Sequence, residues 1–157
     1  MTADQSTSEA MIYWRYISST LDRLMTLALE IDDEGLRWEP PAPQTNSIAA
    51  LASHTLTNAE ENILQTLCGQ PGLADGARGF TRQADSETLR SRWDDLRPQL
   101  GDGLSRLPPE ALNEDRNHPR RGTITGREVL LVVARHAAEH LGQAELTRDL
   151  WSAQRTP

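Results

Sequence analysis

Apolar residues recur at steps of three and four along four separate stretches of the chain. The third stretch shows this spacing most regularly, with apolar side chains at Leu89, Trp93, Leu96, Leu100, Leu104 and Leu107. Such spacing places the apolar side chains on one face of an α-helix, whereas a half-buried strand alternates every second residue. The pattern therefore predicts helices over residues 9–31, 46–68, 86–107 and 125–151, and it indicates no convincing strand.

Proline and glycine residues separate the predicted helices. The proline-rich segment PPAPQ follows the first helix, and Gly69 and Pro71 end the second. The connection from Gly69 to Asp85 is long. An extended chain covers ~3.3–3.6 Å per residue, so this connection can pass along a helix of ~30 Å. The predicted fold is all-α: a four-helix bundle with a long crossover between the second and third helices, which then run parallel.

The composition supports a single domain over residues 1–157, with residues 1–8 as a flexible lead-in. A hydrophobic fraction of 37% with 25% charged residues is typical of a globular chain rather than a disordered one. The single cysteine, Cys68, excludes an internal disulfide and favours a cytoplasmic location. The first ten residues lack the basic region of a secretory signal, and no apolar run approaches the ~18 residues of a membrane span.

The charge pattern narrows the possible functions. The net charge is -7, which argues against a nucleic-acid or anionic-membrane partner. All positive side chains are arginines, because the sequence contains no lysine. Schiff-base chemistry, a lysine nucleophile and the lysine-containing phosphate loop are therefore excluded.

Three of the four histidines have the spacing of a metal site. His136 and His140 are four residues apart on the fourth predicted helix, so their Cβ atoms lie ~6 Å apart on one face. His54 lies near the middle of the second predicted helix. If these helices pack antiparallel, the three imidazoles fall at a similar height, and water or substrate can complete the coordination. The alternative is that these histidines only donate hydrogen bonds in the core.

Two other metal-site patterns fit less well. The segment HAAEH, His136 to His140, matches the inverted zinc-protease motif with Glu139 as base. That motif requires a third ligand further along the chain and a larger substrate-binding body, so we expect Glu139 to be solvated or in a salt bridge. A di-iron site requires paired Glu-x-x-His motifs, which the sequence lacks. Cys68 is too far along the helix from His54 to share its ion.

Two segments resemble the DinB-like superfamily of metal-binding proteins. PPAPQTNSIAALASH is similar to the family's proline-containing loop and Asn-Ser-Ile run before the first metal histidine. ARHAAEHLGQAELTRDL is similar to its last helix, where a histidine pair precedes Gly-Gln and a later arginine. The resemblance implies a bundle with a crossover, one divalent metal bound by His54, His136 and His140, and often a homodimer. Some members are similar to thiol-dependent S-transferases or to maleylpyruvate isomerases that use mycothiol.

Further polar residues are candidates to surround the metal. Asn58 and Glu61 follow His54 by one and two turns, and Gln143 follows His140 by about one turn, so each could bond to a ligand or to bound water. His118 is interpreted as an exposed loop histidine. Arg116, Arg120 and Arg121 are interpreted as a solvated cluster balanced by neighbouring acids, with a clamp for a carboxylate-bearing substrate or thiol as the alternative.

The predicted function is a metal-dependent enzyme acting on a small molecule. Zinc or nickel would be the ion, thiol S-transfer is the favoured reaction, and hydrolysis is possible. The alternative is a non-enzymatic metal-binding or stress-related dimeric bundle. We predict a homodimer that uses the first or third helix, because Met11, Trp14, Leu21, Met25 and Leu29 lie off the main apolar stripe of the first helix.

Overall fold

A computed structural model describes residues 8–71 and 84–155. Most of the predicted lead-in and most of the predicted crossover lie outside the described residues. The helices are α1 Glu9–Glu30, α2 Asp33–Arg37, α3 Ile48–Ala59, a π-helical segment Glu60–Leu67, α4 Ser86–Ser105, a 3-10 helix Pro109–Leu112 and α5 Gly126–Arg155. Two short strands, β1 Asp115–His118 and β2 Gly122–Thr125, pair antiparallel. The predicted all-α bundle is confirmed, but the prediction of no strand is wrong at this hairpin.

Local side-chain bonds set where the helices begin. Ser47 Oγ accepts from the backbone N–H of Ala50, so Ser47 is the N-cap of α3. At the start of α5, Thr125 and Glu128 bond to each other reciprocally. This is the capping box that their spacing indicates.

Ion pairs and close contacts show the relative directions of the helices. Arg127 of α5 pairs with Glu9 at 2.7 Å, and Arg23 of α1 pairs with Glu145 at 2.7 Å, so α1 and α5 run parallel. Trp93 of α4 donates to a carboxylate oxygen of α1 at 3.1 Å while Gly101 lies against Trp14, so these two helices are antiparallel.

The second and third long helices run parallel, as the predicted crossover requires. Arg92 near the start of α4 donates to the carbonyl oxygen of Ser53 in α3 at 3.1 Å. Gly103 near the end of α4 lies against Cys68, just beyond the π-helical segment. The long helices therefore follow an up-down-down-up order around one core.

The core shows that the predicted face of α1 was partly wrong. Trp14, Leu21 and Met25, predicted to lie off the main stripe, are buried. Ile12 and Tyr16, which the helical spacing places on that stripe together with Leu24 and Leu27, are 41% and 65% exposed. The helix contacts α3, α4 and α5, so its buried face is wider than one stripe and shifted from the predicted one. The exposed apolar surface of α1 is thus different from the one that motivated the dimer prediction.

The predicted apolar stripes of the second and fourth helices are buried or nearly so. Within the described ranges, no helix has both the length and the apolar character needed to cross a membrane.

Candidate metal centre

Three histidine side chains meet between α3 and α5. His54, His136 and His140 each offer a ring nitrogen, and these nitrogens lie within 4.8 Å of one another. The ring centroids are 4.7 Å apart for His54 and His136, 5.2 Å for His54 and His140, and 4.3 Å for His136 and His140. The structure thus brings together the three residues that the sequence predicted as ligands.

The helix geometry explains this convergence. His136 and His140 are one turn apart on α5, so they lie on one face. The start of α5 packs against the end of the π-helical segment, where Gly126 contacts Leu67, so the two chain stretches are antiparallel. An antiparallel neighbour brings His54, near the middle of its own helix, to the height of the pair.

The surroundings keep His136 uncharged. Burial, followed by the nearby His140 and His54 and the cations Arg120 and Arg135, lowers the pKa of His136 from 6.5 to about 3. Burial is also the main cause that lowers the pKa of His54. The His136 Nε2 atom is buried and has no hydrogen-bond partner among the described residues. A neutral imidazole with an unpartnered nitrogen is the form that binds a metal ion.

Gln143 orients His140. The His140 Nδ1 atom and Gln143 Oε1 are 2.7 Å apart. Because an amide oxygen can only accept, Nδ1 carries the proton, and the lone pair of His140 lies on Nε2. Metal-binding histidines commonly have such a partner on the second nitrogen.

Asn58 lies near the triad, whereas Glu61 does not. Asn58 lines a cavity together with His136, and its Oδ1 atom is buried without a partner in the described part of the chain. Glu61 is exposed, and no hydrogen bond links it to the triad among the described residues. The π-helical segment explains this, because its turns contain more residues than α-helical turns and rotate later side chains relative to His54. The neighbouring Asn62 is buried instead and donates to the Asn58 carbonyl oxygen at 2.8 Å.

A cavity of about 290 Å³ extends from His136 to the β-hairpin. Its lining comprises Asn58, His118, Arg120, Arg121, Val132, Arg135 and His136. The triad itself is only partly buried. The histidine cluster is therefore open to a small molecule rather than sealed inside the bundle.

His118 is not the exposed loop residue that the sequence suggested, since only 6% of it is accessible. It ends β1, and its Nδ1 atom accepts from the backbone N–H of Arg120 at 3.1 Å. A tight turn joins the strands, with Arg121 N–H donating to the His118 carbonyl oxygen and Gly122 at φ +69°. The H-P-R-R-G sequence suits such a turn, with proline early and glycine in the left-handed position. This signal could have revealed the hairpin.

The hairpin separates the three arginines of the predicted cluster. Arg116 is half-buried and pairs with Glu114 at 2.9 Å. Arg120 and Arg121 are exposed and line the cavity instead. Neither makes an ion pair with an acidic side chain within residues 8–71 and 84–155. The interpretation of the cluster as balanced by its neighbouring acids is therefore wrong for these two residues.

The remaining candidates lie apart from the triad. Glu139 is exposed, and its carboxylate is 3.5 Å from Arg135, which is the surface salt bridge expected of it. Burial raises the pKa of the Cys68 thiol, and the side chain packs near Gly103. Neither residue has the surroundings of a catalytic base or nucleophile in this fold.

Comparison with known proteins identifies a family and solved structures with a similar fold. The sequence profile described as the DinB superfamily matches residues 16–144. The crystal structure of a conserved protein from Enterococcus faecalis superposes with a TM-score of 0.71 at 15% identity, covering 92% of this chain and 98% of that chain. At that identity the likeness shows a shared fold. No curated protein sequence matches this chain.

Proposed function

This chain belongs to the DinB superfamily, and from that membership and the histidine triad we propose that it is a metal-dependent enzyme acting on a small molecule. The observation that carries the proposal is the convergence of three imidazoles, one of them with a buried, unpartnered nitrogen. Thiol S-transfer is the favoured reaction class, and hydrolysis is the other reaction that the same site could support.

The donor set fits a borderline transition metal. His54, His136 and His140 would hold the ion, and the absence of a carboxylate from this set disfavours magnesium and calcium. Zinc and nickel are the ions we propose. Such an ion, when bound, lowers the pKa of a thiol or water so that the deprotonated nucleophile is available near neutral pH.

The chain's own residues supply orientation and access. Gln143 holds the His140 ring so that its free nitrogen lies on the Nε2 side. Asn58 offers a buried amide oxygen to a hydrogen-bond donor in the cavity. The cavity leads from solvent to His136, which is what substrate binding requires.

The same cavity distinguishes this proposal from the alternative, a non-enzymatic metal-binding or stress-related dimeric bundle. A purely structural metal site is usually closed by four protein ligands. Only three clustered ligands occur in the described part of this chain, and one of them, His136, lines a cavity. This favours an enzyme over a structural or storage role.

Metal analysis of variants tests the proposal. His54→Ala and His140→Ala should each abolish stoichiometric zinc or nickel binding, because two imidazoles hold these ions poorly, while circular dichroism stays helical. His118→Ala is the matched control, because it removes a histidine outside the triad, and it should keep its metal. Unchanged metal content in His54→Ala would exclude the site. A screen of the loaded protein with physiological thiols and electrophiles then tests for S-transfer.

We also propose a homodimer in a cytoplasmic location. Exposed apolar side chains lie on the two parallel helices α1 and α5: Ile12, Tyr16, Leu131, Leu146 and Leu150. We propose that these side chains contribute to the contact between subunits, because contiguous exposed apolar surface is typical of such contacts. Sedimentation at tens of micromolar should give a dimer, and a single species of 17.5 kDa would contradict it.

A further inference from the structure

The cavity beside the triad has an unbalanced positive charge. Arg120, Arg121 and Arg135 line it, and none of the aspartates and glutamates in the described ranges does. Arg135 has a surface carboxylate nearby, but Arg120 and Arg121 have no acidic partner among the described residues. This is unusual in a chain whose net charge is -7, because acidic side chains are plentiful enough to pair with the arginines.

The cationic charge lies close to the proposed metal ligands. Arg120 and His136 line the same cavity, so a guanidinium group and a proposed metal ligand border one space. The cavity is small, about 290 Å³, which is near the lower limit for ligand pockets. A molecule that fills it would therefore contact both the guanidinium groups and the space beside His136.

The turn holds Arg120 in place. The buried His118 accepts the backbone N–H of Arg120, and the same turn is closed by the Arg121 N–H. The positions of these two arginines at the cavity are thus set by hydrogen bonds that leave their guanidinium groups free to bind a ligand. Guanidinium forks match planar oxyanions, to which they can donate two parallel hydrogen bonds.

We propose that Arg120 and Arg121 bind an oxyanion of the substrate, a carboxylate or a phosphate, while the rest of the molecule reaches the triad past Asn58. This names the substrate class of the proposed enzyme as an anionic small molecule, and it rests on the proposed function. Because the Asn58 Oδ1 atom is buried without a partner among the described residues, the proposed substrate also has a hydrogen-bond donor that lies near His136.

Two thiols of similar size test the proposal by direct binding. Cobalt(II) replaces the proposed metal, and the thiolate-to-cobalt absorption band reports binding without any reaction. We expect 3-mercaptopropionate to bind on the order of 10-fold more tightly than 2-mercaptoethanol, as a charge-assisted hydrogen bond provides. Arg120→Gln with Arg121→Gln should remove that advantage and leave 2-mercaptoethanol within about 2-fold. Equal affinity of the two thiols for the unaltered protein, or an equal loss for both in the variant, would overturn the proposal.

Arg106→Gln is the matched control. It removes a positive charge from an exposed residue just after α4, whose ion pair within the described ranges is with Asp102, and it should leave the preference for the carboxylate thiol unchanged. If Arg106→Gln lowers the preference as much as the substitutions in the hairpin, overall charge is responsible and the proposed subsite is wrong.

A metal-free arm separates this inference from the metal function. The guanidinium signals of Arg120 and Arg121 should shift in NMR spectra when acetate or phosphate is added to metal-free protein, and the tighter of the two identifies the oxyanion. If the protein binds no cobalt but these signals shift, the proposed metal function fails while the oxyanion subsite stands. If cobalt binds but neither anion shifts the signals, the subsite fails and the metal function stands.

Discussion

The histidine triad, through His136, and the β-hairpin meet at one cavity but are built in different ways. The three histidines lie on helices whose core positions are almost fully buried, with Leu56 and Ala137 at 0% and 1% exposure. The hairpin joins Asp115 to Thr125 by two short strands, and its turn residues Arg120 and Arg121 are exposed. The closely packed helices thus provide the proposed metal ligands, and the exposed turn of the hairpin provides positively charged side chains. Changes in the hairpin should alter what binds without altering how the metal is held.

The largest expected effect concerns Gln143 on the helical side. Gln143→Leu removes the acceptor that bonds to His140 Nδ1, so the ring loses its fixed tautomer and orientation. We expect zinc affinity to fall by about 10–100-fold, the usual cost of losing such a partner. Competition with a chromophoric chelator measures it.

Two further variants control this experiment. Gln143→Glu keeps an oxygen acceptor and should retain the affinity. Glu139→Gln alters an exposed residue of the same helix whose ion pair in the described part of the chain is with Arg135, and it should have no effect. An unchanged affinity in Gln143→Leu would show that the ring is held by packing alone.

The sequence predicts the helical part of the site better than the hairpin, because residues in a regular helix have fixed relative positions. The pair His136 and His140 was predictable because one helix fixes residues four apart on one face. His54 required only an antiparallel neighbour. Both positions follow from regular helix geometry, and the apolar spacing of α3 and α5 indicates that these segments are helices.

Other features depend on local geometry that spacing does not report. The strands DRNH and GTIT lack alternating apolar residues, so the apolar pattern does not predict the hairpin, and it gives no sign that His118 is buried. The π-helical segment moved Glu61 outward and brought Asn62 inward, which a constant helical period cannot predict. The face of α1 was shifted because it contacts three other helices rather than one.

The second prediction concerns the stability of the metal-free helical side at low pH. The pKa of His136 is lowered from 6.5 to about 3 in the folded state. Between these values the unfolded chain binds a proton that the folded chain does not, so the free energy of unfolding decreases as the pH falls below about 6.5. The pKa values of His54 and His118 are also lowered and act in the same direction.

Urea denaturation of metal-free protein at pH 7 and pH 5 measures this effect. We expect a loss of about 1–2 kcal/mol, less than the full linkage value because the ring of His136 is partly open to solvent. His136→Gln should show a smaller loss, since it removes the group with the largest shift. Equal stability at the two pH values would contradict the lowered pKa of His136.

The smallest expected effect concerns Gly122 on the hairpin side. Its φ of +69° is unfavourable for any residue with a Cβ, and a Cβ there would meet no atom within 4 Å. The cost of Gly122→Ala is therefore confined to the backbone, about 1 kcal/mol, and Gly122→Asn should cost less because asparagine tolerates this region. Hydrogen exchange of the Arg121 amide, which bonds across the turn to the His118 carbonyl oxygen, should accelerate by roughly 5-fold in the alanine variant.

The same Gly122→Ala variant tests whether the hairpin and the triad are independent. Zinc affinity should stay within about 2-fold, because the triad lies on α3 and α5, whereas the preference for 3-mercaptopropionate should decrease as the turn loosens. If zinc affinity fell together with that preference, the hairpin and the triad would form one cooperative unit, and the division of the site into a rigid metal side and a separable charged side would be wrong.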